Sequence, residues 1–315
     1  MVPKSEEGLV VTSGIRKFPT NRNSILKNPE YWLDGKREVD EVFPYWRIHN
    51  KLYDLTDFIS KHPGGAFWIK ETRGTDITES FESSHFGTSH EKILQKYYVK
   101  DINRLRNSPF TFHEDGFYKT LKRKVTPILK SVGTGPSLSM ILIQDSLFAG
   151  FLLFSVMAAM KASFLYAVIA GSILSLMANA AHNFFHQKDN WHMFLFDFTL
   201  SSSRDWRISH VLSHHNFPNT IIDFEVSCLE PHLEFFPKKN KSWFHRYATI
   251  FTGSILYSIG FYLVFIYRII LYQTGKTKFV KENALPFLHL LIMAAIGGSF
   301  LQAHSRVSCL SVTCF

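Results

Sequence analysis

Cysteine is scarce in this 315-residue chain, which has only Cys228, Cys309 and Cys314. That number and scatter exclude a disulfide framework and a cysteine-based zinc site, and predict a reducing compartment. Long apolar runs are missing from the first 130 residues. Within residues 1–30 the longest hydrophobic patch is Leu9-Val10-Val11, far short of a signal-peptide core, so the chain is expected to begin in the cytosol. Charged residues make up only 19% of the chain against 46% hydrophobic, which excludes a disordered or collagen-like protein. The acidic deficit leaves a net charge of +9 and implies an anionic partner surface. The basic residues flank apolar runs, which suits phospholipid head groups, and no nucleic-acid partner is expected.

Phenylalanine (30) and histidine (15) are abundant instead, and hydrophobicity is unevenly placed. Four runs approach the roughly 20 residues needed to cross a bilayer core: 139–160, 163–181, 250–271 and 285–301. The first two are split by Lys161-Ala162-Ser163, which reads as the turn of a helical hairpin. Gln144 and Asp145 lie within the first run and are expected to face protein, not lipid. Lys122, Arg123, Lys124 and Lys130 precede the first pair of runs, and Lys238, Lys239, Lys241 and Arg246 precede the second. By the positive-inside rule both flanks are cytosolic and the Lys161 turn is luminal. The basic loop carrying Lys276, Lys278 and Lys281 runs against that assignment.

Two histidine patterns carry chemistry. In the polar amino-terminal part, Tyr53-Asp54-Leu55-Thr56-Asp57-Phe58 reads as a short strand and a helical turn, with Thr56 or Asp57 suited to its N-cap. His62-Pro63-Gly64-Gly65 ends that turn, since proline stops it and the glycines allow a left-handed reversal. His85 follows 23 positions later, after a helical segment bearing Phe81. Two neutral imidazoles on opposed elements meet the needs of a six-coordinate haem iron, which passes single electrons and has no open position for oxygen. His90 is the rival second ligand. Further on, His182 and His186 end the second apolar run, and His210 and His214 repeat the i, i+4 spacing that places two imidazoles on one helix face. His215 is expected to project about 100° further round. Imidazole serves iron, zinc, copper and nickel alike, so spacing alone does not choose the metal.

The window around HPGG resembles the cytochrome b5 haem-binding family over residues 40–105. That resemblance implies His62 and His85 as axial ligands of haem b, with Phe58 and Phe81 against the porphyrin. The histidine pairs after an apolar hairpin resemble the membrane fatty acid desaturase and hydroxylase superfamily. Together the two halves look like the cytochrome b5-fused desaturases, and most like the insect cytochrome b5-related group. The fold implied is an α+β haem domain followed by an all-α, multi-span membrane domain. Its parts would be an extension (1–39), the haem domain (40–105), a linker and amphipathic region (106–137), the desaturase-like domain (138–305) and an atypical tail (306–315).

The resemblance further implies a non-haem di-iron centre, with His182 and His186 in a first box and His210, His214 and His215 in a second. Asp189 and Asp205 are candidate acceptors for the imidazole N–H groups. Electrons would arrive through the haem from a cytochrome b5 reductase-type donor. The substrate would be an acyl lipid in the membrane, and the site the endoplasmic reticulum, with haem domain and boxes cytosolic. Two departures stand out. HNFFH lacks the acidic residue that commonly follows the first histidine, and no Q-x-x-H-H box follows His215, where His232, His245, His289 and His304 stand alone. The chain is therefore expected to be a haem-containing oxidoreductase of lipid metabolism whose iron site is incomplete. The alternative is a membrane-anchored haem electron carrier or regulatory protein without desaturase activity.

Overall fold

A computed structural model of the chain describes residues 14–17, 27–87, 89–236 and 240–298. His304, the tail 306–315 and the last part of the fourth apolar run lie outside them. The chain divides into two compact units, one of Met1–Gly135 with Arg207–His245, the other of Pro136–Trp206 with Arg246–Phe315.

The first unit opens with helix α1 (Pro29–Asp40), whose N-terminus is set by Pro29 and by the Asn28 side chain accepting from the Tyr31 N–H. Three short antiparallel strands follow in the order β1 (Trp46–Ile48), β2 (Lys51–Tyr53) and β3 (Tyr98–Asp101). Between β2 and β3 the chain makes a 3-10 turn (Thr56–Lys61) and helices α2 (Ala66–Glu71), α3 (Thr78–Ser84) and α4 (Ser89–Gln95). The cap of the 3-10 turn is neither Thr56 nor Asp57. The N-cap position is Leu55, which has no side chain able to cap, and Asp54 just before it accepts from the Thr56 N–H at 3.1 Å and the Thr56 hydroxyl at 2.6 Å.

The core of this part is Trp46, Ile48, Tyr53, Leu55 and Ile69. Trp46 is wholly buried and its indole N–H donates to the Ile69 carbonyl at 2.9 Å, so its polar atom is satisfied inside the core. Lys36 and Asp40 pair at 3.0 Å in the interior. Burial outweighs the Lys36 charge and pushes the Asp40 carboxyl up to about 6.

Segment 207–245, although it follows the apolar hairpin, packs with this unit. Ile208, Leu212, Phe217 and Ile222 share a core with Ile15, Trp32 and Leu33, and the Trp32 indole donates to the Ile222 carbonyl at 2.9 Å. The unit also carries helix α5 (Phe117–Val132).

The second unit is built on a hairpin of α6 (Leu138–Lys161) and α7 (Phe164–His182). Ala162 at φ 51° turns the chain between them. Their lengths, about 36 and 28 Å at 1.5 Å per residue, match a hydrocarbon core. These two helices, α7 with its short continuation to His186, are long and apolar enough to cross a membrane among the described residues. Ala158 and Ala159 of α6 and Ala167, Ala170 and Gly171 of α7 are buried, and Gly150 of α6 faces Ile173 of α7, small residues of the kind that let helix backbones approach. Gln144 is fully buried and donates to the Met177 carbonyl at 3.2 Å. Asp145 is instead 44% exposed and satisfied by an ion pair with His192 at 3.0 Å. Beyond the hairpin come a 3-10 turn (Asn183–His186), a 3-10 segment (Trp191–Thr199) and the short helix Ser203–Trp206. After the excursion through residues 207–245, two further helices follow, α8 (Thr249–Gln273) and α9 (Leu285–Gly297).

Candidate haem and iron sites

His62 is the residue at which the 3-10 turn ends, and His85 is the C-cap of α3, so both rings stand on element ends fixed by backbone hydrogen bonds. Their ring centres lie 6.1 Å apart. Two imidazoles sharing one metal through nitrogens about 2 Å away should have centres about 6 Å apart. The His62 Nδ1 lies 2.8 Å from the Gly65 carbonyl and the His85 Nδ1 lies 3.0 Å from the Phe81 carbonyl. A carbonyl can only accept, so each Nδ1 must carry its hydrogen, which leaves Nε2 as the lone pair on both rings. Burial is the main cause that pushes His85 down to about 4, keeping it neutral as ligation requires.

The two glycines of HPGG do different work. A Cβ on Gly64 would sit 2.8 Å from the His62 ring, and Gly65 has φ +100°, a conformation that side chains resist. Phe58 packs edge-on to His62 at 5.8 Å, and Phe81 stacks on His85 at 4.7 Å. Phe58, Ile59, Phe81, Leu94 and Tyr97 are only partly buried around the core, an apolar rim of the kind a flat macrocycle covers. The residues present fit a haem. His90 stands 5.1 Å from His85 and 5.3 Å from Phe81.

In the second unit, α7 ends at His182 and His186 closes the 3-10 turn that follows, with their rings 5.6 Å apart. The pair faces one way although the two residues do not lie on one α-helix.

In the first unit the second box differs from expectation. Arg207–His214 is a π-helix, and the His215 N–H bonds to the His210 carbonyl at 2.9 Å, five residues back. The extra residue in the turn cancels the rotation expected for His215 and returns it to the side of His210. Their Nε2 atoms lie 2.9 Å apart, close to the separation of about 3 Å for neighbouring ligands on an octahedral ion with bonds of about 2.1 Å. His214 stacks with His210 at 5.7 Å. Burial, with the nearby His210 and His214, lowers the His215 pKa.

Two carboxylates orient this box. Glu225 lies 2.7 Å from the His210 Nδ1, and Asp223, wholly buried, lies 2.9 Å from the His214 Nδ1. Sequence reasoning missed both, because they come from the short helix Phe224–Ser227 and its N-cap, 9 to 15 residues downstream. Asp205, one of the acceptors expected from sequence, is ion-paired with Arg268 at 3.4 Å and Arg204 at 3.5 Å. Arg207, at the start of the π-helix and 1% exposed, lies over Phe67 at 4.1 Å and Trp68 at 4.2 Å. This stacked guanidinium ties the second box to α2, the helix that follows HPGG. His245 has both ring nitrogens engaged, with Ser242 and the Pro231 carbonyl, each at 2.8 Å.

A b5-like fold with paired histidines, joined to a membrane helical hairpin followed by histidine boxes, defines a haem domain fused to a membrane desaturase domain. The profile of the Cytochrome b5-like Heme/Steroid binding domain matches residues 36–103, and that of the Fatty acid desaturase family matches residues 146–308. The chain belongs to the fatty acid desaturase family and carries an amino-terminal cytochrome b5-like domain. It is a membrane protein, and its families imply haem and a di-iron centre.

Among known proteins it is similar to the Cytochrome b5-related protein of Drosophila melanogaster, with 40% identity over 291 residues, 91% of this chain and 66% of that protein. It is 52% identical to the Cytochrome b5-related protein of Drosophila virilis over 125 residues, 39% of this chain and 87% of that one. The Delta(5) fatty acid desaturase A of Dictyostelium discoideum is 25% identical over 270 residues, 77% of this chain and 56% of that protein. The chain thus spans just under two thirds of the length of the Drosophila melanogaster relative. No solved structure matches it.

Proposed function

We propose that this chain is a haem-containing membrane oxidoreductase of lipid metabolism, in which His62 and His85 hold haem b and His182, His186, His210, His214 and His215 hold non-haem iron. The observation that carries it is shared by four of these rings. The Nδ1 atoms of His62, His85, His210 and His214 are each held by an oxygen acceptor. An imidazole so held turns its Nε2 lone pair outward, the state in which it binds a metal. When bound, haem would supply one-electron transfer, and the iron centre would supply the oxygen-dependent removal of hydrogen from an acyl chain that the family implies. The protein's own part is to aim the rings through their Nδ1 contacts and, at His85, to disfavour the charged imidazole by partial burial.

The domain boundaries are proposed at 40–105 for the haem domain and 138–305 for the membrane domain, with four spans at 139–160, 163–181, 250–271 and 285–301. The setting is the endoplasmic reticulum membrane with haem and boxes on the cytosolic face. A cytochrome b5 reductase-type donor would supply electrons, and an acyl lipid would be the substrate.

Residues 1–315 offer five box histidines, enough to ligate one iron well or two poorly, and affinity falls with each missing ligand. The 315-residue chain by itself is therefore expected to be catalytically incomplete. Purified in nanodiscs, it should carry one haem, accept electrons from the reductase, hold fewer than two non-haem irons and desaturate no acyl-CoA or phospholipid. Appending a segment with a Q-x-x-H-H box should raise the non-haem iron. Two tightly bound non-haem irons with robust desaturation would overturn the incompleteness, and absence of haem would overturn the electron path. A stable haem with no non-haem iron under any loading condition would favour the electron-carrier alternative.

A further inference from the structure

We propose that α5, Phe117–Val132, is a seat on the surface of an anionic phospholipid bilayer, clamped by its other side to the helix that carries the second haem ligand. The helix has five basic residues (Lys119, Lys122, Arg123, Lys124 and Lys130) and no acidic one. Its exposed large apolar residues Phe117, Leu121, Ile128 and Val132 are 84, 45, 59 and 73% exposed. At 100° per residue these four fall within about 60° of one another, a single stripe along a helix about 24 Å long. A stripe of that size left open to water is costly and marks an interaction surface.

The opposite side is occupied. Lys119 and Lys122 each reach the Glu82 carboxylate at 2.7 Å, and Lys122 also donates to the Glu82 carbonyl at 2.6 Å. Tyr118, at the edge of the stripe, packs edge-on to Phe112 at 5.1 Å. Glu82 lies on α3, 2% exposed, one residue after Phe81 and three before His85. The two lysines thus hold the stripe on the side of α5 turned away from α3.

Three observations choose lipid as the occupant. The positive charge suits anionic head groups. Lys124 borders the stripe, where a long aliphatic stem can lie along acyl chains while its ammonium reaches the phosphates. The chain between Val132 and the first membrane helix is only residues 133–137, a reach of at most about 20 Å, so the end of α5 cannot lie far from where Leu138 enters the bilayer. An amphipathic, basic helix of low overall hydrophobicity lies in the interface plane and does not span.

The test uses the full chain with Cys228, Cys309 and Cys314 changed to serine, carrying one nitroxide label at Leu121→Cys, Ile128→Cys or Arg123→Cys. Each is reconstituted in vesicles of phosphatidylcholine alone or with 30 mol% phosphatidylserine. Labels at 121 and 128 should be at least several-fold more accessible to dissolved oxygen, relative to an aqueous nickel chelate, than the label at 123. Lys124→Glu with Lys130→Glu should reduce that contrast more in the phosphatidylserine vesicles. Equal aqueous accessibility at all three positions in both lipids would overturn the proposal, since a protein partner would be needed to cover the stripe. Spin–spin broadening between labels at position 121 would overturn it too, in favour of a second copy as the occupant. The haem spectrum, read on the same samples, reports that each variant is folded.

Discussion

The Nε2 atoms of His210 and His215 face each other at 2.9 Å although five residues separate them in the chain. One backbone hydrogen bond, from the His215 N–H to the His210 carbonyl, closes the wide turn that makes this meeting possible. On an ordinary α-helix five residues at 100° each would have turned His215 about 140° away from His210. The same turn keeps Ile208 and Leu212 in the core, at 0 and 4% exposure, while the imidazoles share one side.

Glu225 and Asp223 hold the protonated nitrogens of His210 and His214, so removing their charge should loosen metal without touching a ligand. Glu225→Gln and Asp223→Asn are each expected to weaken non-haem iron(II) binding roughly 10- to 100-fold. Iron(II) titration of the haem-loaded chain measures it. Unchanged affinity in both variants would show that these carboxylates do not serve a metal site.

For the haem, His62→Ala or His85→Ala should abolish the low-spin bis-histidine spectrum, whereas His90→Ala should preserve it. Gly64→Ala should also lower haem retention, because the added methyl meets the His62 ring at 2.8 Å. Reduced-minus-oxidised difference spectra of the four variants check this. A spectrum lost in His90→Ala and kept in His85→Ala would reassign the second ligand.

The clamp of α5 on α3 should be acid-sensitive. Burial raises the Glu82 pKa, but hydrogen bonds from His49, Lys119 and Lys122, with the Lys122 charge, outweigh it and hold the carboxyl far below its usual range. A carboxyl lowered by folding stabilises the native state above its unfolded pKa of about 4.3 and loses that contribution as the pH falls toward its folded value. Thermal unfolding of the haem-bearing unit should therefore show a Tm that drops below about pH 4.3 more steeply in wild type than in Glu82→Gln. At pH 7 the variant should already be the less stable of the two. Identical pH profiles would remove Glu82 from the clamp.

Residues 1–135 and 182–245 should lie on one side of the membrane, because the proposed function requires electrons to pass from His62 and His85 to the histidine boxes. Protease added to intact microsomes should cleave both segments and spare the Lys161 turn. Digestion of the haem domain with protection of 182–245 would break the electron path and the four-span topology with it.

The local parts of this protein were legible in its residues. HPGG announces a turn that aims an imidazole, because Gly64 clears room beside the His62 ring and Gly65 takes a positive φ. Uninterrupted apolar length announces α6 and α7, because the hydrocarbon core fixes how long a spanning helix must be. Histidine spacing at i, i+4 brings the rings of each pair close, 5.6 Å for His182 and His186 and 5.7 Å for His210 and His214, although neither pair lies on a regular α-helix. What only tertiary packing decided are features whose partners lie far away or whose register a few atoms set. Residues 207–245 join the haem-bearing unit because Ile208, Leu212, Phe217 and Ile222 bury against Trp32 and Leu33, and Arg207 stacks on Phe67 and Trp68. Composition carries no record of that pairing. Glu225 and Asp223 rather than Asp205 take the box-two imidazoles, since a buried donor bonds whichever acceptor the fold delivers within about 3 Å. The π-turn at His210 follows the same logic: spacing proposes an α-helical face, and the competition between core burial and a single i→i+5 hydrogen bond settles which side His215 shows.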